Sequence, residues 1–199
     1  MRFGRSVTQA DFRPTTGLSP RRRTRNSNRV VLTCVLLPWN DLRSGTMPAV
    51  LTPGEKAPTF VLKDQAGGDV ELAGFVGRKV LVYFYPKADT PGCTAQACGL
   101  RDILGQVGDT AILGISPDSP TRQAKFDKKY GLGFPLLADE DHSVAEAYGV
   151  WVEKSMYGRT YMGIVRSAFL VDEKGQLAEA WYKVSPKDTP KNLLAALAG

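Results

Sequence analysis

The chain has 199 residues, enough for one domain with an appendage or for two very small domains. Its hydrophobic content of 43% is ordinary for a globular protein, and no apolar run approaches the roughly 18 residues that span a bilayer. The formal net charge of +6 does not mark a nucleic-acid binder: residues 1–46 hold nine Arg, no Lys and two Asp, a net +7, which leaves −1 for residues 47–199.

Residues 1–46 read as a basic, disordered extension set apart from a domain over 47–199. Met47 as the native start, with an upstream in-frame translation before it, is the preferred origin. An Arg-rich, acid-poor transit peptide is the second. A secretory signal is the third, with Arg21–Arg29 as n-region and Val30–Leu37 as h-region, but no A-x-A-like cleavage site follows. Cys34 lies in this extension and is assigned no role.

After Met47 the elements follow in order. Thr59–Lys63 and Val70–Leu72 flank the turn-rich Asp64–Asp69, the pattern of a hairpin. Val80–Tyr85 is a continuous apolar run, as in a strand covered on both faces. Thr90–Leu104 reads as a helix ending near Gly105, with Thr90 as N-cap and Pro91 at the first helical position. Ala111–Ser116 is a strand, Pro120–Tyr130 a helix closed by Gly131, Phe134–Leu137 a short strand and Ser143–Tyr148 a short helix. Ile164–Val171 and Leu177–Lys183 flank the turn sequence Asp172–Gly175 and predict a second hairpin. Thr189–Ala198 closes the chain as a helix, capped by Thr189 with Pro190 at its first position. This alternation predicts an α/β, thioredoxin-like fold: a mixed central sheet flanked by helices, with an N-terminal hairpin extension. Reactive groups in such sheets gather at the carboxyl ends of strands, where Thr90 and Cys93 fall.

Cys93 would sit in the first helical turn, near unpaired N–H groups and the positive end of the helix dipole, which favour thiolate over thiol. A buried structural thiol is the plainer alternative. Cys98, five residues on, would have its Cα about 8–9 Å from that of Cys93 and point to another face. A disulfide needs a Cα separation within about 7 Å, so pairing would require the helix to unwind. Otherwise Cys98 is a small core residue. Thr90 could cap the helix, bind a substrate oxygen at the sulfur, or both. Arg166 interrupts an apolar stretch; it is either an edge-strand cation facing solvent or a carboxylate, or the partner of a thiolate. His142, the single histidine, reads as a surface residue at a helix entry, which disfavours a Cys–His hydrolase. Three cysteines and one histidine do not make a structural zinc site or a secreted disulfide scaffold.

The pattern Pro86-x-x-x-Thr90-x-x-Cys93 and the string YFYPKADTPGCTAQACGLRD from Tyr83 to Asp102 resemble the peroxiredoxins, specifically the bacterioferritin comigratory protein branch. Asp139–His142, Tyr148–Trp151 and the run around Arg166 share the resemblance, which covers 51–198 and none of 1–46. It implies Cys93 as the peroxidatic cysteine and Cys98 as the resolving cysteine of the same chain. It further implies that Thr90 and Arg166 complete the peroxide site and that Pro86 shields and shapes it. The implied activity reduces hydrogen peroxide and alkyl hydroperoxides to water and alcohols. The route runs through a sulfenic acid, an intramolecular disulfide and a thioredoxin-type dithiol, with no metal, haem or flavin. A cytoplasmic monomer that engages neither membrane nor nucleic acid is expected, with organelle targeting by 1–46 left open. A thiol–disulfide carrier or holdase chaperone of the same fold is the alternative, although carriers usually use C-x-x-C and this chain has C-x4-C. A nucleic-acid-associated protein rests on the arginines of 1–46 alone.

Overall fold

The computed structural model describes residues 50–156 and 158–199. The expectations for 1–46, Cys34 and the Met47 boundary fall outside the described residues. The strands are β1 (Val61–Lys63), β2 (Asp69–Glu71), β3 (Val80–Phe84), β4 (Ala111–Ser116), β5 (Leu136–Ala138), β6 (Trp151–Met156), β7 (Arg159–Ile164), β8 (Ser167–Val171) and β9 (Leu177–Trp181). The helices are α1 (Pro91–Asp102), α2 (Pro120–Tyr130), α3 (Ser143–Ala147) and α4 (Asp188–Ala198), with 3-10 turns at Leu72–Phe75 and Leu104–Gln106.

One sheet runs in the order β2-β1-β5-β4-β3-β8-β9, and β6 and β7 form a separate two-stranded ribbon. Strand β3 lies parallel to β4 and antiparallel to β8, so every residue of it is buried. Its side chains alternate between two cores, as strand geometry demands. Val80, Val82 and Phe84 join Phe60, Tyr148 and Phe169 on one face. Leu81, Tyr83 and Tyr85 join Cys93, Leu100, Phe126 and Leu193 on the other. This is the thioredoxin-type plan expected from the element order.

Local chemistry accounts for the joints. Asp64 Oδ1 accepts the amides of Ala66 and Gly68, both at 2.8 Å, and shapes the β1–β2 turn. Asp172 Oδ1 does the same for Lys174 and Gln176 between β8 and β9. Gly131 ends α2 at φ +59°, a conformation glycine adopts without steric cost.

Two expectations need correction, and one element is additional to them. The run Ile164–Val171 is not one strand: β7 ends at Ile164 and β8 begins at Ser167. Between them the Val165 amide donates to Val150 O at 2.8 Å, and Arg166 O accepts the Val184 amide at 3.0 Å, so these two residues leave the ladder. The β6–β7 ribbon was not anticipated. Most of β7 is exposed, and a ribbon that buries little carries no apolar alternation to read. Finally, α4 starts at Asp188, so Thr189 is not its cap but a buried residue of its first turn.

Candidate active site

The site forms where β3 ends. The Tyr85 amide makes the last bond to β4, donating to Ile115 O at 3.0 Å, and the chain turns through Pro86–Thr90 into α1. Helix α2 and the loop before it hold this turn. The Ala88 amide donates to Asp118 Oδ2 at 2.6 Å, and Asp118 pairs with Arg122 at 3.0 Å. Asp89 stands at φ +59°, a conformation costly for a residue with a Cβ. Its carboxylate accepts Lys129 Nζ at 2.8 Å and Tyr130 Oη at 2.8 Å. Those bonds, the one from Lys129 foremost, hold the Asp89 carboxyl below its ordinary range. Pro86 is exposed at the start of the turn.

Thr90 is extended, at φ −104° and ψ 153°, and Pro91 opens the helix as expected. The Thr90 side chain does not cap, however. Its hydroxyl donates to Lys87 O at 3.1 Å, back into the turn. Thr90 O accepts the Thr94 amide at 2.8 Å, which begins the helical ladder. Gly92 and Cys93, ahead of that first bond, have no intrahelical acceptor for their amides, and the Thr90 side chain does not take them. These two N–H groups therefore stay without a helical partner in the turn that carries Cys93.

Cys93 is the third helical residue and is 1% exposed. Arg166, half-buried in the link between β7 and β8, places Nη2 3.2 Å from Cys93 Sγ. Strand pairing brings it there: Ser167 lies opposite Phe84, so the residue before Ser167 meets the turn that follows β3. Arg166 is thus neither a cation in a covered strand nor a surface arginine. Its Nη1 donates to Gln96 Oε1. Gly92 leaves room for the guanidinium; a Cβ there would stand 3.3 Å from Arg166 Nη2. Lys154, on β6, donates to Ile164 O, and burial followed by the Arg166 charge pushes its ammonium below the ordinary lysine range.

Cys98 lies in the same unbroken α1 as Cys93, half-buried against the second core, and both thiols are free. His142 does not join the site. It stacks on Trp151 with centroids 3.9 Å apart, at a left-handed backbone position ahead of α3. The structure therefore brings Arg166 onto Cys93, leaves the Thr90 hydroxyl on Lys87 O three residues ahead of the sulfur, and keeps Cys98 further along the same helix. Sequence reasoning missed Gln96, fully buried and bonded to Arg166, because a lone glutamine in a helix reads as solvated. Its signal was spacing: Gln96 follows Cys93 by three residues and shares its face.

Among the described residues no group of three or more His, Cys, Asp or Glu could hold a metal ion. The arrangement offers a buried thiol at a helix start, a guanidinium on its sulfur and free amides beside it. Residues 53–180 match the AhpC/TSA family. Peroxiredoxin Bcp of Escherichia coli K12 is 53% identical over 129 residues, covering 64% of this chain and 83% of that protein. Peroxiredoxin Bcp of Bacillus subtilis 168 is 44% identical over 146 residues, covering 72% and 93%. The bacterioferritin comigratory protein of Xanthomonas campestris, solved as trapped intermediate and ligand complexes, superposes with a TM-score of 0.68 at 34% identity over 76% of this chain and 97% of its own. The chain belongs to the AhpC/TSA family, in the bacterioferritin comigratory protein branch of the peroxiredoxins.

Proposed function

We propose that in this thiol peroxidase Cys93 is the nucleophile, Cys98 the resolving thiol, Thr90 and Arg166 the groups that bind and polarise the peroxide, and Pro86 the residue that shapes the turn. The Arg166 Nη2 contact to Cys93 Sγ at 3.2 Å carries the reading. The Cys93 thiolate attacks the distal oxygen of a hydroperoxide. The S–O bond forms as the O–O bond breaks, and the departing oxygen takes a proton to leave as water or an alcohol. The guanidinium and the Gly92 and Cys93 amides face the negative charge as it moves from sulfur to oxygen. The product is a sulfenic acid on Cys93.

Cys98 then attacks that sulfur, and a thioredoxin-type dithiol reduces the resulting disulfide by exchange. Because α1 is unbroken between the two cysteines, its first turns must unwind for this step. Hydrogen peroxide and alkyl hydroperoxides are the substrates; the alkyl peroxide reduction activity of the Xanthomonas campestris relative supports the second class. One chain supplies every group named, in keeping with a monomer, and a cycle through free thiols suits the reducing cytoplasm. Among the described residues no helix is long and apolar enough to cross a membrane. A carrier or holdase without turnover is not favoured, since a guanidinium on the sulfur serves peroxide attack and C-x4-C inside a helix is not a carrier's dithiol. The test is Cys93→Ser: peroxide consumption should fall to background with the fold intact by circular dichroism. Turnover retained in that variant would move the nucleophile elsewhere.

A further inference from the structure

Two residues of α4 meet α1 on either side of Cys98. Thr189, buried in the first turn of α4, accepts a hydrogen bond from Gln96 Nε2 at 2.8 Å and donates to Ser185 O at 3.4 Å. The carbonyl end of the same Gln96 amide accepts from Arg166 Nη1. These partners fix the amide's orientation, because a flipped Gln96 would turn its NH2 toward a guanidinium that can only donate. One turn along, Gly99 approaches α4 so closely that a Cβ would stand 2.9 Å from Pro190 Cγ. Cys98 lies between these two contacts.

We propose that Thr189 is a positioning residue for the peroxidase cycle: through Gln96 it holds Arg166 on the Cys93 sulfur, and by the same bond it keeps α1 wound until Cys93 is oxidised. The inference rests on the reading that Cys98 resolves Cys93 within the chain. In the wound helix Gln96 is fully buried and Thr189 is the partner of its NH2. In an unwound helix the amide is in water and needs no such partner. Removing the Thr189 hydroxyl therefore penalises the wound form alone. The two steps use different forms. Peroxide attack needs the wound helix, with Arg166 in place. Resolution needs the unwound one: the Cys98 thiolate attacks the sulfenic sulfur, the S–S bond forms, the S–O bond breaks and hydroxide leaves to become water. Loss of the hydroxyl should slow the first step and speed the second. A residue of merely structural importance would not split the two rates in opposite directions.

The experiment uses the full chain with Thr189→Val, Thr189→Ser and Pro190→Ala, mixed with hydrogen peroxide, quenched with a thiol-alkylating reagent and read by mass spectrometry. In Thr189→Val the disulfide should form from the sulfenic acid about tenfold faster, the factor expected for one unpaired buried donor. Sulfenic acid should form severalfold more slowly, and less sulfinic acid should accumulate in excess peroxide. Thr189→Ser should keep both wild-type rates. Pro190→Ala, which trims only the apolar contact, should speed resolution without slowing attack. If the wild type forms the Cys93–Cys98 disulfide but Thr189→Val resolves no faster, the role of Thr189 is overturned and intramolecular resolution stands. If the wild type forms no such disulfide, both fall. Should Thr189→Val fail to fold, Thr189→Ala takes its place beside Thr189→Ser, and an unchanged resolution rate in Thr189→Ala overturns the proposal.

Discussion

Arg166 reaches the thiol from outside the sheet ladder, and its two ends do different work. One nitrogen contacts Cys93 Sγ and the other is held by Gln96. A neutral Arg166→Gln would lose both the charge and the fork geometry. Sulfenic acid formation should slow by roughly a hundredfold or more, the scale seen when one preorganised donor to a developing anion is removed. Rapid-quench measurement of the first step, with melting temperature as control, checks this; an unchanged rate would separate Arg166 from the chemistry. At Thr90 the finding changes what a substitution should do. Its hydroxyl bonds to the turn rather than to the helix amides, so the capping expected from the sequence is absent. The motif made Cys93 and Thr90 visible as a pair because first-turn chemistry is local. Gln96 and Thr189 were hidden because each is polar within a helix, and only their meeting 93 positions apart shows why both are buried.

Two helices show how an element's ends govern its behaviour. In α1 both thiols sit on one unbroken helix, so a disulfide between them requires the oxidised protein to differ locally from the reduced one. Amides of Thr90–Leu100 should exchange faster with solvent after oxidation, while β3 remains protected in both states. Equal slow exchange in both would contradict unwinding. In α3 the cap comes from Asp139, whose carboxylate accepts the Val144 amide at 3.2 Å and the Ala145 amide at 2.8 Å. Burial raises this carboxyl above its ordinary value, and the two amides only partly oppose the shift. The folded protein therefore holds the Asp139 proton to higher pH than the unfolded chain does. The stability from that proton is full below the unfolded value of about 3.9 and is lost as pH rises through the folded one. Asp139→Asn does not titrate. Its melting temperature should therefore gain on the wild type as pH rises from about 3.5 toward neutrality. Parallel pH profiles would rule the effect out. Helices with both signals in the chain, as in Pro120 and Gly131 of α2, were legible to the residue. The start of α4 was displaced by one residue, from Thr189 to Asp188.

At the scale of the whole molecule, strands buried on both faces announced themselves as apolar runs, so β3 and β4 were readable with their order and class. The β6–β7 ribbon was not, because most of β7 faces solvent. Yet that ribbon delivers the chain to Arg166. The antiparallel register of β3 with β8, Phe84 opposite Ser167, has a further consequence for how the protein matures. Cys93 and Arg166 are 73 positions apart in the chain, and the β3–β8 pairing closes the gap. A slip of one residue would carry Arg166 about 3.3 Å along the strand and turn its neighbours to the wrong face. Reactivity is thus a late property of folding. Helices form from neighbours in sequence, whereas a pairing across so long a loop waits for chain closure. During refolding, helical circular dichroism should recover first, and rapid peroxide capture by Cys93 should appear only with the slower phase. A newly made chain would then keep an unassisted, sluggish thiol until its central sheet is complete.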